Sequence, residues 1–93
     1  MEKEILNFAK NQKIKYTEYL NDNKNDKSKF YYIFASNDIF EFNQLFAKIT
    51  YLRENNRITD LQFVSYRERL FKELTSLSSY LSQICQEAHA NGQ

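Results

Sequence analysis

The 93-residue sequence contains no proline and one glycine, Gly92, next to its end. Those two residue types are the main punctuators of a chain. Turns here must be made by Asn, Asp and Ser, which tolerate capped or left-handed backbone. The same scarcity excludes a glycine-rich loop that cradles phosphate. One cysteine, Cys85, excludes an intrachain disulfide framework. One histidine, His89, leaves most acid–base and metal-ligating sets short of members. No uninterrupted apolar run reaches the ~18 residues of a membrane-spanning helix, so no membrane association is expected. The opening Met1-Glu2-Lys3-Glu4 lacks the basic-then-apolar order of a secretory signal. With the lone thiol, that predicts a reducing, cytoplasmic setting.

What remains is 42% hydrophobic, 27% charged and 16% aromatic, which suits one folded domain over residues 1–93 and not a disordered chain. Thirteen basic against twelve acidic side chains give a net charge of +1, too little for a global field toward nucleic acid. Residues 1–29 nevertheless hold seven of the nine lysines, and all four arginines fall between Arg53 and Arg69. Asn, Lys, Ile, Phe and Tyr supply 41 residues, all with AT-rich codons, which predicts an AT-rich bacterial, phage or plasmid gene.

The last third carries the clearest pattern. Phe63, Tyr66, Leu70, Leu74, Leu77, Leu81, Ile84 and Ala88 step by three or four, which predicts a helix over about 60–90. Thr59 or Asp60 can cap its start, and Asn91-Gly92 can end it. Ile39, Phe42, Leu45, Phe46, Ile49 and Leu52 predict a second helix over about 38–54, capped by Ser36 or Asn37 and ended by Asn55-Asn56. The short link forces an antiparallel helical hairpin.

The first 35 residues admit two readings. Ile5, Phe8, Ala9, Tyr16, Tyr19 and Leu20 suit an N-terminal helix over 2–20, with 30–35 a buried helical turn, giving a mainly α fold, a small helical bundle built on the hairpin. Phe30-Tyr31-Tyr32-Ile33-Phe34 also reads as a strand, and residues 13–35 then form a β-hairpin in an α+β fold. The helical neighbours favour the first.

On these bounds the second helix is ~25 Å long and the third ~46 Å, an overhang of about 20 Å. The side chains on the overhang need cover, from the N-terminal segment or from another copy. A homodimer through 74–88 is therefore expected as one solution.

Few constellations carry chemistry. Cys85 and His89 share a helical face, but a closed metal site needs about four ligands, and a nucleophile pair needs an orienting group. Glu2/Glu4, Asp22/Asp26 and Glu68/Glu73 sit where no dry cleft is predicted. No cofactor, metal or catalytic set is expected. Arg53, Arg57, Arg67 and Arg69 bracket the hairpin turn with Tyr51 and Tyr66 among them, a composition shared by protein interfaces and nucleic-acid sites. Glu54, Asp60 and Glu73 are nearby ion-pair partners, Glu73 four residues from Arg69. Leu77, Tyr80, Leu81 and Ile84 are candidate contacts on the serine-smoothed distal helix.

The segment Tyr51–Phe63, with Tyr66-Arg67-Glu68-Arg69-Leu70, is similar to the hairpins of small helical immunity proteins that protect bacteriocin producers, and of phage and plasmid helical modules. The likeness covers about a quarter of the chain and implies a helical hairpin. The residues then predict a small non-catalytic binding module, an inhibitor, immunity or regulatory protein of a mobile element. It would dock a helical, aromatic surface on a protein target through Tyr51, Arg53, Arg57, Tyr66, Arg67, Arg69, Leu77, Tyr80, Leu81 and Ile84. The alternative is a dimeric nucleic-acid-binding regulator that uses the lysine-rich first third and the 53–69 arginines.

Overall fold

Ile5, Phe8, Ala9, Gln12 and Tyr16 recur every three or four residues and form the buried face of α1, Glu2–Asn21. The computed structural model describes the backbone of residues 1–92 and the side chains of residues 1–87. Helix α2 runs Phe30–Glu54 and α3 runs Asp60–Gly92. The chain is mainly α, with three helices and no strand among the described residues.

Asparagine and aspartate do end α1. Asp22 turns extended, and the side-chain amide of Asn25 donates to the Tyr19 carbonyl at 3.1 Å. Asp26 accepts from the Ser28 amide at 3.0 Å and opens a short 3-10 turn, Lys27–Lys29, that leads directly into α2. The Ser28 bonds hold the Asp26 carboxyl below its ordinary value.

The β-hairpin reading of 13–35 is therefore overturned, and so is a helix start at 38 with Ser36 or Asn37 as its cap. The aromatic run 30–34 is the first turn and a half of α2. Phe30 and Phe34 lie four apart on one face and both are buried. They meet Tyr16 edge-on, at ring centroids of 5.6 and 4.9 Å, and Phe34 meets Tyr19 at 5.4 Å. Aromatic residues prefer strands only where their packing partners lie on a sheet. Here the partners sit on α1, and edge-to-face pairs add about 0.5–1.5 kcal/mol each beyond area burial.

The hairpin after α2 is closed without glycine. Asn56 adopts φ 56°, the left-handed region. The Arg57 amide reaches the Leu52 carbonyl at 2.8 Å and the Asn56 amide reaches that of Arg53 at 3.0 Å. Those two bonds form a Schellman cap with asparagine in the glycine position. Thr59 then starts α3 reciprocally with Gln62. Its hydroxyl accepts from the Gln62 amide at 3.1 Å, and Gln62 accepts from the Thr59 amide at 2.9 Å.

The helices run up, down and up. Glu4 meets Lys48 at 2.7 Å and Lys15 meets Glu41 at 4.0 Å, which sets α1 antiparallel to α2. Because α3 returns antiparallel to α2, α1 runs parallel to α3, and Lys13 of α1 lies 4.8 Å over the Tyr80 ring of α3. The bundle is elongated, 52 × 21 × 18 Å.

Helix α2 has 25 residues, ~37 Å, and α3 has 33, ~50 Å, so the length difference shrinks from the expected ~20 Å to about 12 Å. Leu77 and Leu81 are 0% and 2% exposed, within one continuous core with Ile5, Tyr16, Ile49 and Leu70. They are core residues and not a free seam. Ile84 packs on the same core, and the side chain of Ala88 lies outside the described residues. Ile39, read as a core position, is 54% exposed.

Candidate docking face

Asp38 belongs to the interior and not to a helix start. It is 3% exposed, beside Gln12 at 2% and Tyr16 at 0%. The Gln12 amide donates to Asp38 Oδ1 at 2.6 Å, and the Tyr16 hydroxyl donates to Oδ2. Burial pushes the Asp38 carboxyl above its ordinary value, against the two donors and the charge of Lys15. Burial also raises the Tyr16 phenol, helped by the Asp38 carboxylate. The sequence reading missed all three as a polar set. The one available signal was a glutamine and an aspartate on otherwise apolar stripes.

With Asp38, Phe34, Phe42 and Ile49 turned inward, the opposite side of α2 faces outward. At 100° per residue, Tyr32, Ile33, Ser36, Ile39, Phe40, Asn43, Ala47 and Tyr51 share that outer side. Tyr32 is 76% exposed, Phe40 56% and Tyr51 62%, and Ile33 and Ile39 are also exposed. The stripe contains no charged residue from Tyr32 to Tyr51. Single exposed apolar residues are ordinary, whereas a contiguous, charge-free set marks an interaction surface. Tyr51 alone was expected at such a surface. Its neighbours on α2 were missed because 30–35 was read as a separate buried turn or a strand, and Ile39 as a core position.

The other expected contact residues are spread over the molecule. Arg53 lies 4.7 Å over the Phe63 ring and pairs with Asp60 at 3.3 Å. Arg67 lies over the same ring at 5.6 Å. Arg69 bonds Glu73 at 2.9 Å. Arg57 is exposed in the turn, and Tyr66 is half-buried against the core. Tyr80 stacks on Tyr16 at 6.2 Å beneath Lys13. The structure thus does not assemble these side chains into one surface.

Two grooves of about 570 and 520 Å³ border α1 and α3, and both mix Lys and Glu side chains along their walls. A smaller cleft of about 200 Å³ between α2 and α3 has Tyr31 and Ile39 at its α2 wall and Leu74 and Ser78 at its α3 wall. It adjoins the outer face through Ile39. Among the described residues no cluster of three or more His, Cys, Asp or Glu can hold a metal ion. Burial raises the Cys85 thiol above its ordinary value, which keeps it protonated, and the His89 side chain lies outside the described residues. No helix among the described residues is long and apolar enough to cross a membrane. Neither protein families, nor curated proteins, nor solved structures offer a match to the chain.

Proposed function

We propose that the protein is a small non-catalytic binding module that docks the outer face of α2 on an uncharged, apolar surface of a protein. The observation that carries this is the charge-free stripe from Tyr32 to Tyr51, with Phe40 near its middle. An exposed set of tyrosines and aliphatics is the composition of interface centres. The face offers no charge to attract phosphate or an ionic substrate. Three of the four arginines are tied to Phe63, Asp60 or Glu73, which does not favour a nucleic-acid role for the 53–69 cluster. An inhibitor, immunity protein or regulator works in this way, by occupying a partner's surface.

The test uses the wild-type chain and Phe40→Glu as baits in cells that produce the protein. Helicity by circular dichroism confirms that the variant folds. A protein held by the wild type and lost with Phe40→Glu supports the reading. Equal capture by both, or capture of nothing by either, contradicts it.

A further inference from the structure

We infer that the occupant of this face is a second copy of the chain, packed antiparallel about a two-fold axis beside Ser36. The inference rests on the docking reading above and supplies its partner.

Ser36 is small and exposed in the middle of the N-terminal half of α2. One turn before it stand Tyr32 and Ile33, and one turn after it stand Ile39 and Phe40. A two-fold rotation beside Ser36 sets Tyr32 of one copy against Phe40 of the other, and Ile33 against Ile39. Each of the four large side chains around Ser36 then meets an apolar one, which is the self-complementarity that a closed dimer requires, while Tyr51 lies farther along α2 outside this contact. Ser36 meets its own copy at the axis, where a small side chain lets two helix backbones approach.

The lack of charge is compatible with the same occupant. A face without ionised groups gives a charged partner nothing to read, and it meets its own copy without like-charge repulsion. The area agrees as well. Tyr32, Ile33, Ile39 and Phe40 together expose roughly 400–500 Å², taking aromatic side chains at about 150–250 Å² each. The polar positions around them bring each side toward the ~800 Å² of a standard interface.

The axis predicts a covalent readout. In a Cys85→Ala background, Ser36→Cys places two thiols across the axis. Asn11→Cys, exposed on α1, is the control. Mild oxidation is expected to link the Ser36→Cys chains at least about tenfold faster than the control, and adding Phe40→Glu abolishes that advantage. Circular dichroism checks that each variant keeps its helix content. Equal linking rates for Ser36→Cys and the control overturn the second copy as occupant. The docking reading falls by a different result, equal capture by wild-type and Phe40→Glu baits.

Discussion

Gln12 donates its side-chain amide to Asp38 across 26 positions of sequence, at 2.6 Å and out of reach of solvent. Tyr16 donates to the other carboxylate oxygen. Every buried side-chain polar atom among the described residues has a partner. Asp38→Ala strands both donors in the core, at about 1–3 kcal/mol each. The expected loss of roughly 2–4 kcal/mol lowers Tm by roughly 10–25 °C in a domain this size. Replacing the set by Gln12→Leu, Tyr16→Phe and Asp38→Leu recovers most of it, because no donor is then left unpaired. Thermal melts followed by circular dichroism check both variants.

The same carboxyl gives stability an unusual pH dependence. Its value is raised in the folded chain, which therefore holds the proton more tightly than the unfolded chain does. Its contribution is full below about pH 4 and is lost as pH rises through the raised value. Glu4 acts in the opposite sense. Its hydrogen bond from Lys48 lowers it, so its contribution is present above the ordinary glutamate value and lost as pH falls through the lowered one. Asp38→Asn removes only the first effect. The stability of the wild type relative to Asp38→Asn is expected to fall as pH rises above about 4 and through the raised value. Urea midpoints at fixed temperature measure it, and a rise over that range contradicts the buried carboxyl.

Asn56 occupies a left-handed position that glycine fills at lower conformational cost. Asn56→Gly is expected to change stability by less than about 1 kcal/mol, upward where relief of the left-handed backbone exceeds the added chain entropy. Asn56→Val is expected to lower it by about 1–2 kcal/mol, because a β-branched side chain meets the backbone there. Denaturant titration of the three chains checks the order.

Leu77 and Leu61 separate core from surface on one helix. Leu77 is fully buried and Leu61 is 84% exposed. Leu77→Ala is expected to cost about 2–5 kcal/mol and Leu61→Ala less than about 0.5 kcal/mol. A small effect at Leu77 would return the distal half of α3 to the surface.

The hairpin of α2 and α3 was legible because Asn55-Asn56 and Thr59 are local signals, read by the residues beside them. Helix α3 was legible because its stripe of apolar residues runs unbroken from Phe63 to Ile84. The start of α2 was not legible. Phe30 and Phe34 take their conformation from Tyr16 and Tyr19, which no local window contains. Asp38 resembles a first-turn residue until Gln12 and Tyr16 are placed opposite it. The docking face was hidden by the same misplaced start: with the helix begun at about 38 and 30–35 a separate buried turn, Tyr32 and Ile33 shared no face with Phe40. Of the expected contact residues, Tyr51 lies on the face, whereas Leu77 and Leu81 serve the core.

Light scattering on the purified chain tests the pairing of α2 faces most directly. The wild type is expected to rise with concentration from 11.2 kDa toward twice that mass, while Phe40→Glu stays at 11.2 kDa with unchanged helicity. A wild type that stays at the mass of one chain across two decades of concentration, or a Phe40→Glu variant that assembles like the wild type, contradicts it.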